Sequence, residues 1–433
     1  MESKNSDIKK NCRLHLISIN FLKITVLFLV VIALLILIVV LATHNPSKPI
    51  PDFSANITSG RAPLTVSFTD LSLNNPYGWT WYFGDENVSA PWKEVNANAE
   101  WSARARHTCV VTPDGNLIIM GGSTTIGAGS YENDIWRSAD YGTTWTLVNS
   151  NADWPGRVGH SSLAMKDGSI MVMGGFNPTA DMNDVWQSRD EGVTWKQVNA
   201  SAGWSSSDHC SVAMPDDSIV VMGGGNAIGD STNDVWRSMD YGTTWTRVNE
   251  SAGWDSRALF GCVATSDGTI IIMGGSGYEN DYKNDVWKSK DGGRTWILVN
   301  ANPPWTPRIY LRSVAMPDSS IVMIGGINNR GMLNDVWRST DFGKTWNQLT
   351  ANAEWSVRYF QTSVAMPDGS IILTGGAGYH NLTNDVWRLT SVGSWNNNPL
   401  HTYTVPGNYS VILDAYNAAG YNSTRKTGYI TVT

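Results

Sequence analysis

The sequence predicts an all-β molecule: a six-bladed β-propeller inserted into a smaller β-sandwich, with one N-terminal transmembrane helix ahead of both. Three observations predict it. The stretch Asn133-Asp134-Ile135-Trp136 recurs with small edits, its Trp returning as Trp186, Trp236, Trp287, Trp337 and Trp387, and a period of about 50 residues marks repeated blades. Alternating strand patterns stand both before the repeats and after them. Ile24 to Ala42 is apolar except for Thr25 and carries no charge, close to the roughly 20 residues a helix needs to cross a bilayer.

Lys4, Lys9, Lys10, Arg13 and Lys23 precede that run against Glu2 and Asp7, and the uncharged His44-Asn45-Pro46-Ser47 follows it. The positive-inside rule leaves residues 1–23 in the cytoplasm, 24–43 as a signal anchor in the membrane, and the rest outside the cell. A cleaved signal peptide is the competing reading, with Val40-Leu41-Ala42 as its cleavage site, although leader and apolar run are both long for one. Either way the bulk of the chain is exported. The net charge of −7 is spread along the chain without the basic stripe that nucleic acid requires, so no nucleic-acid partner is expected. Seven sequons, at Asn56, Asn87, Asn199, Asn249, Asn381, Asn408 and Asn422, suit an exported glycoprotein. Cys109, Cys210 and Cys262 are odd in number and fall in apolar strand patterns, which favours small buried hydrophobes over a disulfide framework.

A stalk at 44–51 leads to the first sandwich half, 52–90, where Leu64-Thr65-Val66-Ser67-Phe68 and Trp79-Thr80-Trp81-Tyr82-Phe83 alternate as strands. The second half, 396–433, supplies His401 to Thr404, Tyr409 to Tyr416 and Tyr429 to Thr433. Gly60-Arg61-Ala62-Pro63-Leu64, the Trp-x-Phe-Gly-Asp run ending at Asp85, Asn398-Pro399-Leu400-His401 and Asn417-Ala418-Ala419-Gly420 resemble the PKD (polycystic-kidney-disease-type) domain family. Tyr82 and Glu86 depart from that pattern, standing where Asp and Gly are usual. The resemblance implies one immunoglobulin-like sandwich that carries the repeats, 91–395, in a loop. Insertion there requires guest termini that lie close together, as in a closed ring. PKD and propeller modules recur together in prokaryotic, particularly archaeal, surface proteins, and the resemblance implies such a setting.

Each repeat reads as four short strands. In the second, Gly159 to Met165 and Ser169 to Gly175 flank an Asp-Gly turn, and Asn183 to Ser188 and Thr194 to Val198 flank another. The diglycine and the Trp-bearing strand resemble kelch repeats. The Ser-x-Asp-x-Gly-x-Thr-Trp turn, at Ser138, Ser188, Ser238, Ser289 and Ser339, is similar to the Asp box of sialidases and other propellers. Its Asp reads as a structural acceptor for turn amides rather than a catalytic or metal-binding group. Pro91 to Trp101 matches Thr144 to Trp154, so an outer strand precedes the first complete repeat. The sixth repeat, whose own turn is damaged at Ser391, is placed to accept it and remove the open edge.

Strand parity puts the Asp-Gly turns, the Asp boxes and both sandwich connections on one face, leaving the opposite face free. There lie the loops that vary between repeats, the default binding surface of a repetitive scaffold. Tyr131, Phe176, Tyr278, Tyr282 and Tyr379 stand in them, suited to stacking on sugars or gripping a protein, or else scattered surface aromatics. Arg104, Arg157, Arg257, Arg308 and Arg358 recur just before the inner strands, with Ser206 breaking the series. They read either as a ring for a carboxylate or sulfate or as structural bonds between blades. His107, His160 and His209 share one register, followed by Phe260, Leu311 and Gln361; side chains in one register spread around a channel instead of converging on a metal. No Ser-His-Asp set, phosphate loop or zinc spacing stands out, and neither cofactor nor metal is expected. The resulting expectation is a membrane-anchored extracellular protein, non-catalytic, binding a surface glycan or protein. The alternative is a sialidase-like or other glycoside hydrolase or lyase, which needs carboxylates within roughly 5–10 Å of each other in a cleft.

Overall fold

The second strand of each blade is sandwiched between neighbouring blades, and that is why it reads as an unbroken apolar run. In the first, Leu117, Ile118, Ile119 and Met120 are all fully buried; burying such side chains contributes about 1.5–3 kcal/mol each. The computed structural model describes residues 47–76, 78–85, 92–126, 129–225, 231–277, 281–316, 319–390, 396–417 and 420–433. The proposed anchor at 24–43 lies outside them. Among the described residues no helix is long and apolar enough to cross a membrane.

Six four-stranded antiparallel sheets form the blades. Blade 1 is Thr108–Val111, Leu117–Met120, Ile135–Ser138 and Thr146–Asn149, and blades 2 to 6 repeat that order. The innermost strands touch in sequence, and Thr362–Ala365 of blade 6 packs against Thr108–Val111 of blade 1, so the ring is closed. Backbone bonds stitch the blades together as well. Gly122 N donates to Arg157 O, and the same link recurs from Gly376 N in blade 6 to Arg104 O in blade 1. Gly122 has φ 96°, and a Cβ there would meet the Ala105 carbonyl at 2.9 Å, so the diglycine is what lets strands approach this closely.

Blade 6 borrows its outer strand from the other end of the repeats. Lys93–Asn96 pairs with Leu382–Leu389, in the register Val386 with Asn96 and Arg388 with Lys93. Trp92 packs edge-on against Trp355 at 6.2 Å, as the Asp-box Trp145 does against Trp101, and its amide donates to Glu354. Trp92 therefore takes the place in blade 6 that the Asp-box Trp takes in blade 1.

The segments flanking the blades form two further sheets. One runs Phe53–Ala55, Leu64–Asp70, Leu400–Tyr403, and the other Ser59–Gly60, Gly420–Val432, Gly407–Asn417, Gly78–Tyr82. They share a core of Phe53, Val66, Phe68, Trp81, Tyr403, Leu413 and Ile430. Both chain halves are needed: Trp81 Nε1 donates to Asn396 O, and Tyr403 Oη donates to Phe83 O.

The cysteines depart from expectation. Cys210 and Cys262 form a disulfide between the inner strands of blades 3 and 4, while Cys109 stays free and buried. Sequence separation hid the pair, because residues 52 apart come side by side only when adjacent blades align their inner strands. In the chain-entropy picture a cross-link over that span stabilises by about 4 kcal/mol.

Truncating the latch tests closure. Trp92→Ala, emptying a nearly buried indole site, should cost about 3–5 kcal/mol in equilibrium urea unfolding. A loss under about 1 kcal/mol would mean that this strand does not carry closure.

Candidate functional site at the free channel mouth

The two-sheet unit sits on the face that carries the Asp-Gly turns. Tyr82 is buried there, and a Cβ on Gly369 would lie 1.8 Å from its hydroxyl. A cavity of about 990 Å³ remains between the two, lined by Trp79 and Asn422 on one side and by Asp114, Lys166 and Asp368 on the other. The opposite mouth of the channel is uncovered by any other described part of the chain.

The repeated polar residues are consumed by the fold. Arg104, Arg157, Arg257, Arg308 and Arg358 are buried within the blades and do not face a ligand. Each clamps the Asp of its own Asn-Asp-x-Trp motif through both oxygens; Arg104 Nη1 and Nη2 lie 2.6 and 2.8 Å from Asp134. Arg104 also donates to Gly121 O, and Trp136 Nε1 donates to the same carboxylate at 2.7 Å. A ring for a carboxylate or sulfate is thereby excluded at this register, because the fork already holds a carboxylate. Nor do these side chains bond neighbouring blades; their backbone groups do, as in Arg104 N to Thr383 O and Gly376 N to Arg104 O. The Asp boxes are structural too. Asp140 accepts from Ser138 Oγ, Thr144 N and Thr144 Oγ1, and although burial raises its carboxyl, those bonds outweigh it and hold it below the usual range.

The three His residues bond across blades. His107 Nε2 meets Thr374 Oγ1, His160 Nε2 meets Thr108 Oγ1 and His209 Nε2 meets Ser161 Oγ, at 2.9–3.0 Å. Burial drives the imidazoles down, His160 to about 3 and His209 to about 4. Among the described residues no group of three or more His, Cys, Asp or Glu is placed to hold a metal.

One position earlier the repeat symmetry breaks. Arg106, Gly159, Asp208, Leu259, Tyr310 and Phe360, one per blade, all have positive φ, between 52° and 65°. The bonds Arg106 N to Phe360 O, Asp208 N to Gly159 O, Leu259 N to Asp208 O and Tyr310 N to Leu259 O link them from blade to blade. A left-handed residue turns the chain at the rim, and the side chains of Arg106, Asp208, Tyr310 and Phe360 come together there. The Arg106 guanidinium carbon lies 4.0 Å above the Phe360 ring, with Phe176 at 5.6 Å and Tyr310 at 5.9 Å. Tyr310, Tyr359 and Phe360 pack with centroids 4.1–5.8 Å apart. Gly159 leaves room: a Cβ there would meet Phe176 at 3.0 Å and Asp208 Oδ1 at 3.1 Å. Arg312 stands just inside, its Nε donating to Gln361 O at 2.6 Å. Burial pushes the Asp208 carboxyl up against the pull of Arg106 and Arg312, and raises Tyr310 to about 12.

Of the aromatics expected to line the free face, Phe176 belongs to this cluster. Tyr131 and Tyr282 are half-buried, Tyr379 is exposed, and Tyr278 lies outside the described residues. Among the sequons, Asn56, Asn381, Asn408 and Asn422 are exposed, Asn422 while donating from Nδ2 to Pro49 O. Asn199 and Asn249 are half-buried and donate from Nδ2 to Thr243 O and Arg294 O of the next Asp-box turn; Asn87 lies outside the described residues. The rim is hidden in the sequence because its residues do not repeat. The signal was the column beside the His register, where no two blades agree.

The profile of the KLHDC2/KLHL20/DRC7 kelch-repeats domain matches residues 80–275, and the BNR-Asp box repeat matches residues 336–349. No curated protein matches the chain. The strand order and these two matches make the repeat region a kelch/Asp-box β-propeller.

Blade 3 lacks the arginine clamp. Ser206 stands in its place, and Asp234 Oδ1 is buried without a partner while Oδ2 accepts from Trp236. Ser206→Arg should therefore raise the unfolding free energy by about 1–3 kcal/mol. Arg157→Met, which strands Asp184, should lower it by about 3–5 kcal/mol. The His column predicts acid lability. Folded imidazoles held below the unfolded value of about 6.5 keep their full contribution above that pH and lose it as pH falls toward the folded values. Near pH 5 each forfeits about 2 kcal/mol. His209→Phe installs the ring that blade 4 already carries at this register as Phe260, and it should flatten the pH 7-to-5 decline in urea midpoint accordingly.

Proposed function

We propose that this kelch/Asp-box propeller is the ligand-binding part of a membrane-anchored extracellular protein, and that it recognises a surface glycan at its free channel mouth. The observation that carries the reading is the asymmetric rim. Six equivalent positions hold Arg, Gly, Asp, Leu, Tyr and Phe, no two alike, whereas the Asn-Asp-x-Trp and diglycine positions recur from blade to blade. Tyr310, Tyr359 and Phe360, tilted against one another, offer apolar surface to sugar C–H groups, and Arg106 and Asp208 offer a donor and an acceptor.

Export is supported by the apolar run 24–43 with its basic N-terminal flank and by the Cys210–Cys262 disulfide, a bond that persists in oxidising compartments. The flanking sheets fit a PKD-like sandwich that holds the propeller by both termini. Standing between the anchor and the propeller in the chain, it would present the open mouth away from the membrane.

A hydrolase is less well supported. The six rim positions carry one carboxylate, Asp208, where glycoside hydrolysis ordinarily needs two. Burial also keeps Tyr310 a protonated phenol, up at about 12, the reverse of what an activated nucleophile requires.

Full-length chain in lipid nanodiscs on a glycan array should retain a defined glycan set without releasing cleaved products. Phe360→Ala and Tyr310→Ala should weaken retention at least tenfold, and Tyr379→Ala, outside the rim cluster, should not. Retention indifferent to the rim variants, or none at all, would refute the mouth as the site. An alkaline carbonate wash should leave the chain with cell membranes; its release would refute the anchor.

A further inference from the structure

The contrast between the arginines buried in the blades and those near the axis indicates the chemical class of the ligand, granted the mouth-binding reading above. Five guanidinium groups are spent inside blades on paired carboxylates. Arg106 and Arg312, near the axis, are not. Among the described residues no carboxylate lies within ion-pair distance of Arg106, which rests on the Phe360 ring. Arg312 donates from Nε to a carbonyl, leaving its terminal nitrogens without a described protein acceptor. A guanidinium laid on an aromatic ring keeps its planar edge free, and that edge matches the two oxygens of a carboxylate.

Asp208 faces the same space and accepts no side-chain hydrogen bond from a described residue. Its field is felt by Arg106, Arg312 and Tyr310. The rim thus offers a carboxylate-shaped fork, a hydrogen-bond acceptor and aromatic faces. Sulfate would satisfy the first alone, and a neutral sugar the last two.

We infer that the free mouth binds an acidic sugar residue, its carboxylate on Arg106 with Arg312 behind it, its hydroxyls donating to Asp208 and its C–H face against Tyr310 and Phe360. A peptide carboxylate would suit the fork but brings amide donors in place of a row of hydroxyls.

The test is isothermal titration of the full-length chain in detergent micelles with methyl β-D-glucuronide, methyl β-D-glucoside and N-acetyl-glycylglycine. The two sugars differ only at the carboxylate. The expected result is glucuronide binding at least ~10-fold tighter than the glucoside, a gain a charge-assisted pair supplies. Arg106→Gln should erase the preference and Arg106→Lys keep part of it, with both variants melting as the parent does. Equal binding of the two sugars that still depends on Phe360 would overturn the acidic class while leaving the mouth as the site. Tighter binding of the peptide would overturn the sugar assignment. No binding of either sugar, together with an array signal indifferent to the rim, would remove both readings.

Discussion

The pairing of Lys93–Asn96 with Leu382–Leu389 is the constraint from which the rest of the molecule follows. It brings together parts of the chain far apart in sequence; nearby, Asn384 Nδ2 donates to Ala99 O across 285 positions. Without it blade 6 has an unpaired edge, blade 1 loses a neighbour, and the flanking sheets lose their common point of attachment. The entropy of closing so long a loop grows only slowly with its length, and apolar burial between blades 6 and 1 offsets it. Ile372 and Val386 of blade 6 pack into the same cluster as Trp101 and Leu117.

Closure also divides labour between repeated and unrepeated residues. A blade uses an Arg for its Asp, a Trp for its plug, a diglycine for close approach and an Asp box for its outer turn, and these recur in nearly every blade, blade 3 lacking the Arg at Ser206 and blade 6 the intact Asp box. Those side chains are therefore buried or bonded, as with Arg308 and Asp335 at 2.6 Å. The rim is subject to one backbone requirement, a positive φ, which Arg106, Asp208, Leu259, Tyr310 and Phe360 all accept. Left-handed non-glycine residues carry strain of order 1–3 kcal/mol each. Their retention around one mouth, where glycine would be less strained, points to a use for their side chains.

The propeller was legible because its period survives in the sequence. Asn-Asp-x-Trp, the diglycines and the Ser-x-Asp-x-Gly turns sit where the hydrogen bonds demand, and the likeness of Pro91–Trp101 to Thr144–Trp154 pointed to the borrowed strand. The candidate site was far less legible. Arg157 looked available because nothing in the sequence announces that Asp184, 27 positions on, will take both ends of its guanidinium. Arg106 drew no attention because a residue that belongs to no pattern has no signature. The Cys210–Cys262 bond was missed for a related reason, since pairing across blades depends on lateral alignment and not on spacing within a repeat.

Closure is tested most directly by hydrogen–deuterium exchange at the latch. If the ring is shut as described, the amides of Lys93–Asn96 exchange as slowly as those of Leu382–Leu389 and both open only with global unfolding. Rapid exchange of Lys93–Asn96 while the blade interiors stay protected would contradict a closed ring, and with it the single free mouth.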